Sequence, residues 1–97
     1  MESSTQICLR IKKNYFDEIA TGKKLVEYRE AKTFYNKLLK RKGIKTMLLH
    51  YQKPRQLVVE VRRIRKIKRP AWMPPWIQTK YVYAIEIGKV VKRIGGK

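Results

Sequence analysis

Tyr81, Tyr83, Ile85 and Ile87 alternate with Val82, Ala84 and Glu86, and a period of two marks a β-strand whose two faces differ. A second long run, Gln56 to about Lys68 through Leu57, Val59 and Val61, precedes it. Between them Arg69–Gln78 contains Pro70, Pro74 and Pro75; proline has no N–H for a ladder, so this stretch is a loop. Three further strands are expected. In residues 6–12, Ile7, Leu9 and Ile11 share one face and Cys8, Arg10 and Lys12 the other; residues 24–30 and Thr46–Tyr51 supply the rest. Lys53-Pro54-Arg55 reads as a turn, and Gly88-Lys89 as another that leads into Val90, Val91 and Ile94.

Two short helices interrupt the strands. Asn14 is expected to cap the first, with Asp17 and Glu18 in its first turn, Tyr15, Phe16, Ile19 and Ala20 as its apolar stripe, and Gly22 as its left-handed stop. Thr33 is expected to cap the second, with Phe34, Tyr35, Leu38 and Leu39 inward and Gly43 closing it. The order β-α-β-α-β-β-β predicts an α+β fold: a small mixed β-barrel of about five or six strands flanked by two short helices, rather than a doubly wound sheet. Residues 1–97 read as a single domain with an ordered core over about 6–94 and frayed ends.

The charge decides the partner. Among 97 residues, 25 Lys+Arg stand against 7 Asp+Glu, a formal charge of +18, while 43% hydrophobic residues argue against a disordered basic tail. A surface of this kind repels itself unless an anion is near. Nucleic acid, RNA or DNA, is the first candidate and an anionic membrane surface the second. A membrane surface is not favoured, because no apolar run approaches the ~20 residues of a span and neither helix is a long basic amphipath. One cysteine, Cys8, and one histidine, His50, make neither a disulfide framework nor a zinc site, so no metal and no cofactor are expected. His50, in the apolar Leu48-Leu49-His50-Tyr51 strand, reads as an ordinary packed or surface residue. The first residues lack the basic and apolar stretches of a signal peptide, so a cytoplasmic, monomeric protein is the expectation.

The densest chemistry lies at Gly22-Lys23-Lys24-Leu25-Val26-Glu27-Tyr28-Arg29. Alternation puts Leu25, Glu27 and Arg29 on one face and Val26 and Tyr28, which look like core, on the other. Glu27 and Arg29 are then an opposite-charge pair beside a lysine. On spacing alone this is either a solvated ion pair worth ~0–1 kcal/mol or the lining of a site.

Ile11-Lys12, the short helix through Tyr15-Phe16 and Ile19, and Gly22-Lys23-Lys24-x-x-Glu27-x-Arg29 resemble the signature of ASCH domains. The apolar strand ending in Tyr51, the Val-rich strand at 57–61 and Tyr83-Ala84-Ile85-Glu86-Ile87 fit the same pattern, so the resemblance spans roughly 7–88. It implies a PUA-like fold and a cleft that binds RNA or nucleotides, lined by Lys12, Lys24, Glu27 and Arg29. Two features depart from the pattern: Lys13 rather than proline follows Lys12, and Ile44 follows Gly43. One branch of the family resembles amidohydrolases of acylated cytidines, which use a lysine, a threonine and a glutamate. The lysine maps onto Lys24. The threonine maps onto Glu27, which is no hydroxyl nucleophile, and Arg69–Lys80 holds no acid for the third role. An enzyme would therefore rest on Lys24 and Glu27, as a hydrolase of RNA or of a modified nucleoside; the main expectation is a non-catalytic binding module, or a structural ribonucleoprotein component.

Two more features point to nucleic acid. Arg62, Arg63, Arg65, Lys66, Lys68 and Arg69 put six bases in eight residues, more than the gatekeeping charge an edge strand requires. Trp72 and Trp76 follow in the proline-stiffened loop, where one is expected to be buried and the other available for stacking on a base. Lys37, Lys40, Arg41, Lys42, Lys45, Lys89, Lys92 and Arg93 spread charge over a broad face.

Overall fold

The computed structural model describes residues 5–41, 43–52 and 55–95; Lys42, the Lys53-Pro54 turn and both chain ends lie outside the described residues. In chain order the elements are β1 (Thr5–Arg10), α1 (Lys13–Ala20), β2 (Val26–Glu30), α2 (Thr33–Leu39), β3 (Ile44–Gln52), β4 (Arg55–Lys68) and β5 (Tyr81–Ile94). The five strands form one mixed sheet in the order β1-β3-β4-β5-β2. β1 and β3 are parallel, and every other pairing is antiparallel. The fold is thus α+β with five strands and two helices, as the element order predicts. The sheet is open: β1 and β2 are its edges and do not pair with each other.

Strand overlap gives the sheet two lobes. β3 pairs with the first part of β4, Arg55–Glu60, while β2 pairs with the first part of β5, Val82–Glu86. Since β4 and β5 are antiparallel, the two additions sit at opposite ends of that long ribbon. Where they meet, the β4–β5 register shifts between Val58 and Val59, Val59 and Val61, and Val61 and Arg63. Such bulges bend and twist a ribbon. They also replace the turn expected at Gly88-Lys89, for β5 runs on without a break to Ile94. Gly88 lacks a side chain where the Glu60 carboxylate lies across it, and Glu60 Oε1 accepts the Lys89 N–H at 3.4 Å.

The core follows the alternation. Ile7 and Leu9 of β1, with Ile11 after it, Met47 and Leu49 of β3, Leu57, Val59 and Val61 of β4, and Tyr83, Ile85 and Ile87 of β5 are buried in one cluster. Phe16 and Ile19 of α1 and Leu39 of α2 close it. Each such side chain contributes about 1.5–3 kcal/mol by leaving water.

The helix ends differ in part from expectation. α1 stops as predicted: Gly22 has φ +81°, its N–H donates to Ile19 O at 3.1 Å, and Lys23 N–H donates to Glu18 O at 2.8 Å, the paired bonds of a left-handed cap. Gly43 has φ +76°. At the other end Lys12, not Asn14, is the residue before the first turn, and no side chain caps it. Asp17 therefore lies beyond that turn and binds Lys13 at 2.8 Å. Likewise Thr33 opens α2 rather than capping it. α2 has only seven residues, so its inward row is Tyr35, Leu38 and Leu39, and Phe34 points to solvent against Tyr35.

Candidate nucleic-acid interface

β2 is the edge strand that carries the Lys-x-x-Glu-x-Arg segment, and its pairing decides which side chains face inward. Glu27 lies opposite Ile85 and Arg29 opposite Tyr83, both core residues of β5. Glu27 is therefore buried, 5% exposed, while Val26 and Tyr28, read from sequence as core, are only half-buried. The solvated ion pair is also corrected: the Arg29 side chain is 15% exposed. Its guanidinium donates from Nε to Glu27 Oε2 at 2.8 Å, from Nη1 to the Tyr35 hydroxyl at 2.8 Å, and from Nη2 to the Arg10 carbonyl at 2.9 Å. One side chain thus ties β2 to α2 and to the end of β1, across the gap between the two sheet edges.

Lys24 follows the α1 stop, where its N–H donates to Glu18 O at 3.1 Å. Its ammonium sits 3.6 Å from Glu27 Oε1 and 4.9 Å from the centre of the Tyr15 ring. Glu27 is held from both sides, one oxygen towards Arg29 and the other towards Lys24. Lys12 stands at the end of β1, which Ile11 N–H extends by donating to His50 O at 2.9 Å. These residues line an open cleft of about 1060 Å³ around the outer edge of β2.

The opposite wall is the proline-rich loop, so structure joins two features that are separate in sequence. Pro70 O accepts Met73 N–H and Pro74 O accepts Ile77 N–H, which makes two tight turns. Arg69 N–H donates to Lys80 O at 2.8 Å and closes the neck, and the Arg69 guanidinium donates to Ile77 O. Gln78 N–H donates to Glu30 Oε2 at 3.1 Å, fastening the loop to β2. Both tryptophans line the cleft, Trp72 being 65% and Trp76 66% exposed. The expectation of one buried indole is therefore wrong. The loop is held by hydrogen bonds and by half-buried Met73 and Ile77, so it requires no tryptophan anchor. Trp72 rests edge-on against Tyr28, ring centres 5.2 Å apart.

Two contributors escape a sequence reading. Tyr15, Tyr35 and Tyr51 belong to apolar stripes or strands in the sequence, yet each lines the cleft; only the fold reveals it. The β2 main chain is the second. Ile87 N–H donates to Leu25 O and Ala31 N–H to Tyr81 O, so the odd-numbered residues of β2 face β5. The N–H and C=O of Val26 and Tyr28 point the other way, out from the sheet edge, and Tyr28 lines the cleft.

The basic strand is divided. Arg63 and Arg65 each reach Glu86 Oε2 at 3.0 Å, and Arg62 approaches Glu60 Oε1 at 3.6 Å. Lys66 lies over the Tyr81 and Tyr83 rings, Lys68 is exposed, and Arg69 braces the loop. None of these six lines the cleft. Lys37, Lys40, Arg41, Lys45, Lys89, Lys92 and Arg93 are exposed around the molecule, with Arg93 also donating to Ala20 O at the end of α1. Among the described residues no group of His, Cys, Asp and Glu could hold a metal, and no helix is long and apolar enough to cross a membrane.

Glu30 makes the loop acid-sensitive. Burial raises its pKa, but the Gln78 N–H, the Lys32 ion pair at 3.1 Å and the Thr79 N–H together outweigh it and hold the carboxyl below its ordinary 4.5. A depressed carboxyl contributes stability above its unfolded-state pKa and loses it as pH falls through the folded value. The loop contact is therefore expected to weaken below about pH 4.5. The two tryptophans, the only ones in the chain, report this as a change in emission that Glu30→Gln abolishes; an unchanged acid transition in that variant would contradict the assignment.

Compared with family models, with curated proteins and with solved structures, the chain matches none.

Proposed function

We propose that this protein is a non-catalytic RNA-binding module that takes an unpaired base in the β2-edge cleft and phosphates on the basic surface around it. The observation that carries this reading is that one cleft holds cations, a fixed carboxylate and two exposed indoles around a free strand edge, in a chain of charge +18. Lys12 and Lys24 supply phosphate charge. Trp72 and Trp76 supply stacking faces, which a single strand offers and a duplex conceals. The Glu27 carboxylate accepts from a base amino group, and the Tyr28 main chain adds one donor and one acceptor. Arg29, which the resemblance places among the cleft residues, has its fork committed within the protein and is better read as the residue that positions Glu27.

The resemblance to ASCH domains supports the same cleft. So does the approach of β1 and β2 through Arg29, which brings the open sheet close to the PUA-like barrel that the resemblance implies. A hydrolase remains the second reading, because Lys24 and Glu27 do lie side by side. Both Glu27 oxygens are directed to cations, one to Arg29 and one to Lys24, and this supports reading it as an acceptor. Turnover of RNA or acylated nucleosides that disappears in Lys24→Ala would establish the hydrolase instead.

The test is affinity for labelled single-stranded RNA. Trp72→Ala and Trp76→Ala are each expected to cost about 1–3 kcal/mol, roughly 5- to 150-fold in Kd. Unchanged binding in both would remove the tryptophan wall from the interface.

A further inference from the structure

The charges outside the cleft are not equivalent, because strand register sorts them by face. Tyr28 lies opposite Ala84, and Ala84 opposite Arg65; Glu86 similarly lies opposite Arg63 on one side and Val26 on the other. Residues directly opposite each other in a ladder share a face. Val26, Tyr28, Ala84, Glu86, Arg63 and Arg65 are therefore one surface, the side of the β2–β5–β4 lobe away from the core. Strands about 4.8 Å apart set the Arg65 Cα roughly 10 Å from that of Tyr28. The residue between them, Ala84, is 1% exposed and covered by its neighbours, so a strand crossing here meets their side chains rather than Ala84 itself. Tyr28 is also the residue on which Trp72 rests. The cleft wall and the Arg63–Arg65 pair are thus neighbours on one surface.

The two arginines are held ready. Each contacts Glu86 Oε2 through Nε at 3.0 Å, with the side chains 61% and 50% exposed. Two guanidiniums share one carboxylate, which leaves a net positive charge on two side chains at least half open to solvent, and a guanidinium takes a phosphate in fork geometry. Lys66 and Lys68 lie on the same strand with the opposite facing: Lys66 is opposite Tyr83 and sits over its ring, and Lys68 is opposite Tyr81.

We infer that this outer face is a track for the sugar-phosphate backbone leaving the cleft, with Arg63 and Arg65 as its phosphate seats. The ligand is then a single strand several nucleotides long, not a mononucleotide. The inference rests on the RNA-binding reading of the cleft and adds direction and length to it.

Binding of the full-length protein to a nucleoside monophosphate, to uridine and adenosine oligomers of two, four, six and eight nucleotides, and to a blunt duplex tests this. Affinity is expected to rise with oligomer length and to be weakest for the monophosphate. In Arg63→Gln/Arg65→Gln the salt slope for the six-nucleotide strand is expected to fall by about 1.4, from about 0.7 per phosphate contact on a single strand. Monophosphate binding is expected to stay unchanged. Lys66→Gln/Lys68→Gln removes the same charge from the other face and is expected to leave the slope unaltered. Neutral glutamine avoids placing a new carboxylate beside Glu86, and a melting curve for each variant checks the fold. Equal losses from the two double variants, or an affinity independent of length, would overturn the track while leaving the cleft intact. A wild-type protein that binds neither monophosphate nor oligomer would overturn the cleft and the track together.

Discussion

Arg29→Ala is expected to lower the free energy of unfolding by about 3–5 kcal/mol, the usual cost of stripping one partner from a buried ion pair. At about 4–8 °C per kcal/mol for a domain of this size, melting should fall by at least ~12 °C. The size of the effect follows from what remains. Glu27, 5% exposed, loses its close partner, with Lys24 still 3.6 Å away. The part-buried Tyr35 hydroxyl loses its donor at the same moment, and an unpaired buried polar group is costlier than a hydrogen bond never made; the exposed Arg10 carbonyl can turn to water instead. Arg29→Lys should recover part of the loss, since an ammonium retains the charge but not the planar fork that serves three partners. Removing both charges, in Glu27→Leu combined with Arg29→Met, should cost less than the two single changes summed. Differential scanning calorimetry of these five variants, the two single changes of the pair included, measures the losses. A loss below ~1 kcal/mol for Arg29→Ala is what an exposed pair gives, and it would show that the two edge strands are not held this way.

The same pair shows what the sequence can and cannot reveal. Chemistry type was legible: a lysine, a glutamate and an arginine at alternate positions after a glycine stop single out residues 24–29 without any structure. Their facing was not. Local pattern sends apolar Val26 and Tyr28 inward, and the pairing of β2 with β5, more than fifty residues away, turns Glu27 inward instead. Long-range register overrides local hydropathy wherever a buried charge finds partners.

Elsewhere, legibility follows how local the cause is. The strict alternation of β1 and of residues 81–87 specifies strands with a buried face, and Gly22 stops α1 because only a left-handed residue completes its cap. Gly88 misleads, since a glycine inside a strand marks a bulge as often as a turn, and the Glu60 carboxylate that occupies its missing side chain belongs to another strand. Trp72 and Trp76 mislead for a different reason. Average burial argues for placing an indole in the core, whereas this loop is anchored by main-chain hydrogen bonds and by Glu30. The open sheet is likewise a matter of β1 and β2 meeting through one side chain rather than a ladder, which no periodicity reports.

The second large effect concerns salt. With +18 charges, of which Arg63 and Arg65 share one acid and Lys37, Lys40, Arg41, Lys45, Lys89, Lys92 and Arg93 are dispersed and exposed, much of the affinity for RNA should come from released counterions. A protein that makes ~6–10 phosphate contacts loses ~10³–10⁵ in affinity between 50 and 200 mM salt. The cleft should behave otherwise. Stacking on the tryptophans and hydrogen bonds to Glu27 and the β2 main chain do not displace counterions, so preference among bases should survive where total affinity collapses. Glu27→Gln is expected to reduce that preference at every salt concentration while shifting the salt slope little.

One titration addresses the account most directly: intrinsic tryptophan fluorescence of the protein against single-stranded RNA and duplex RNA at several salt concentrations. Because Trp72 and Trp76 both line the cleft, the single strand is expected to quench strongly and the duplex weakly, with a steep fall in affinity as salt rises. Binding without quenching, or an affinity indifferent to salt, would contradict it.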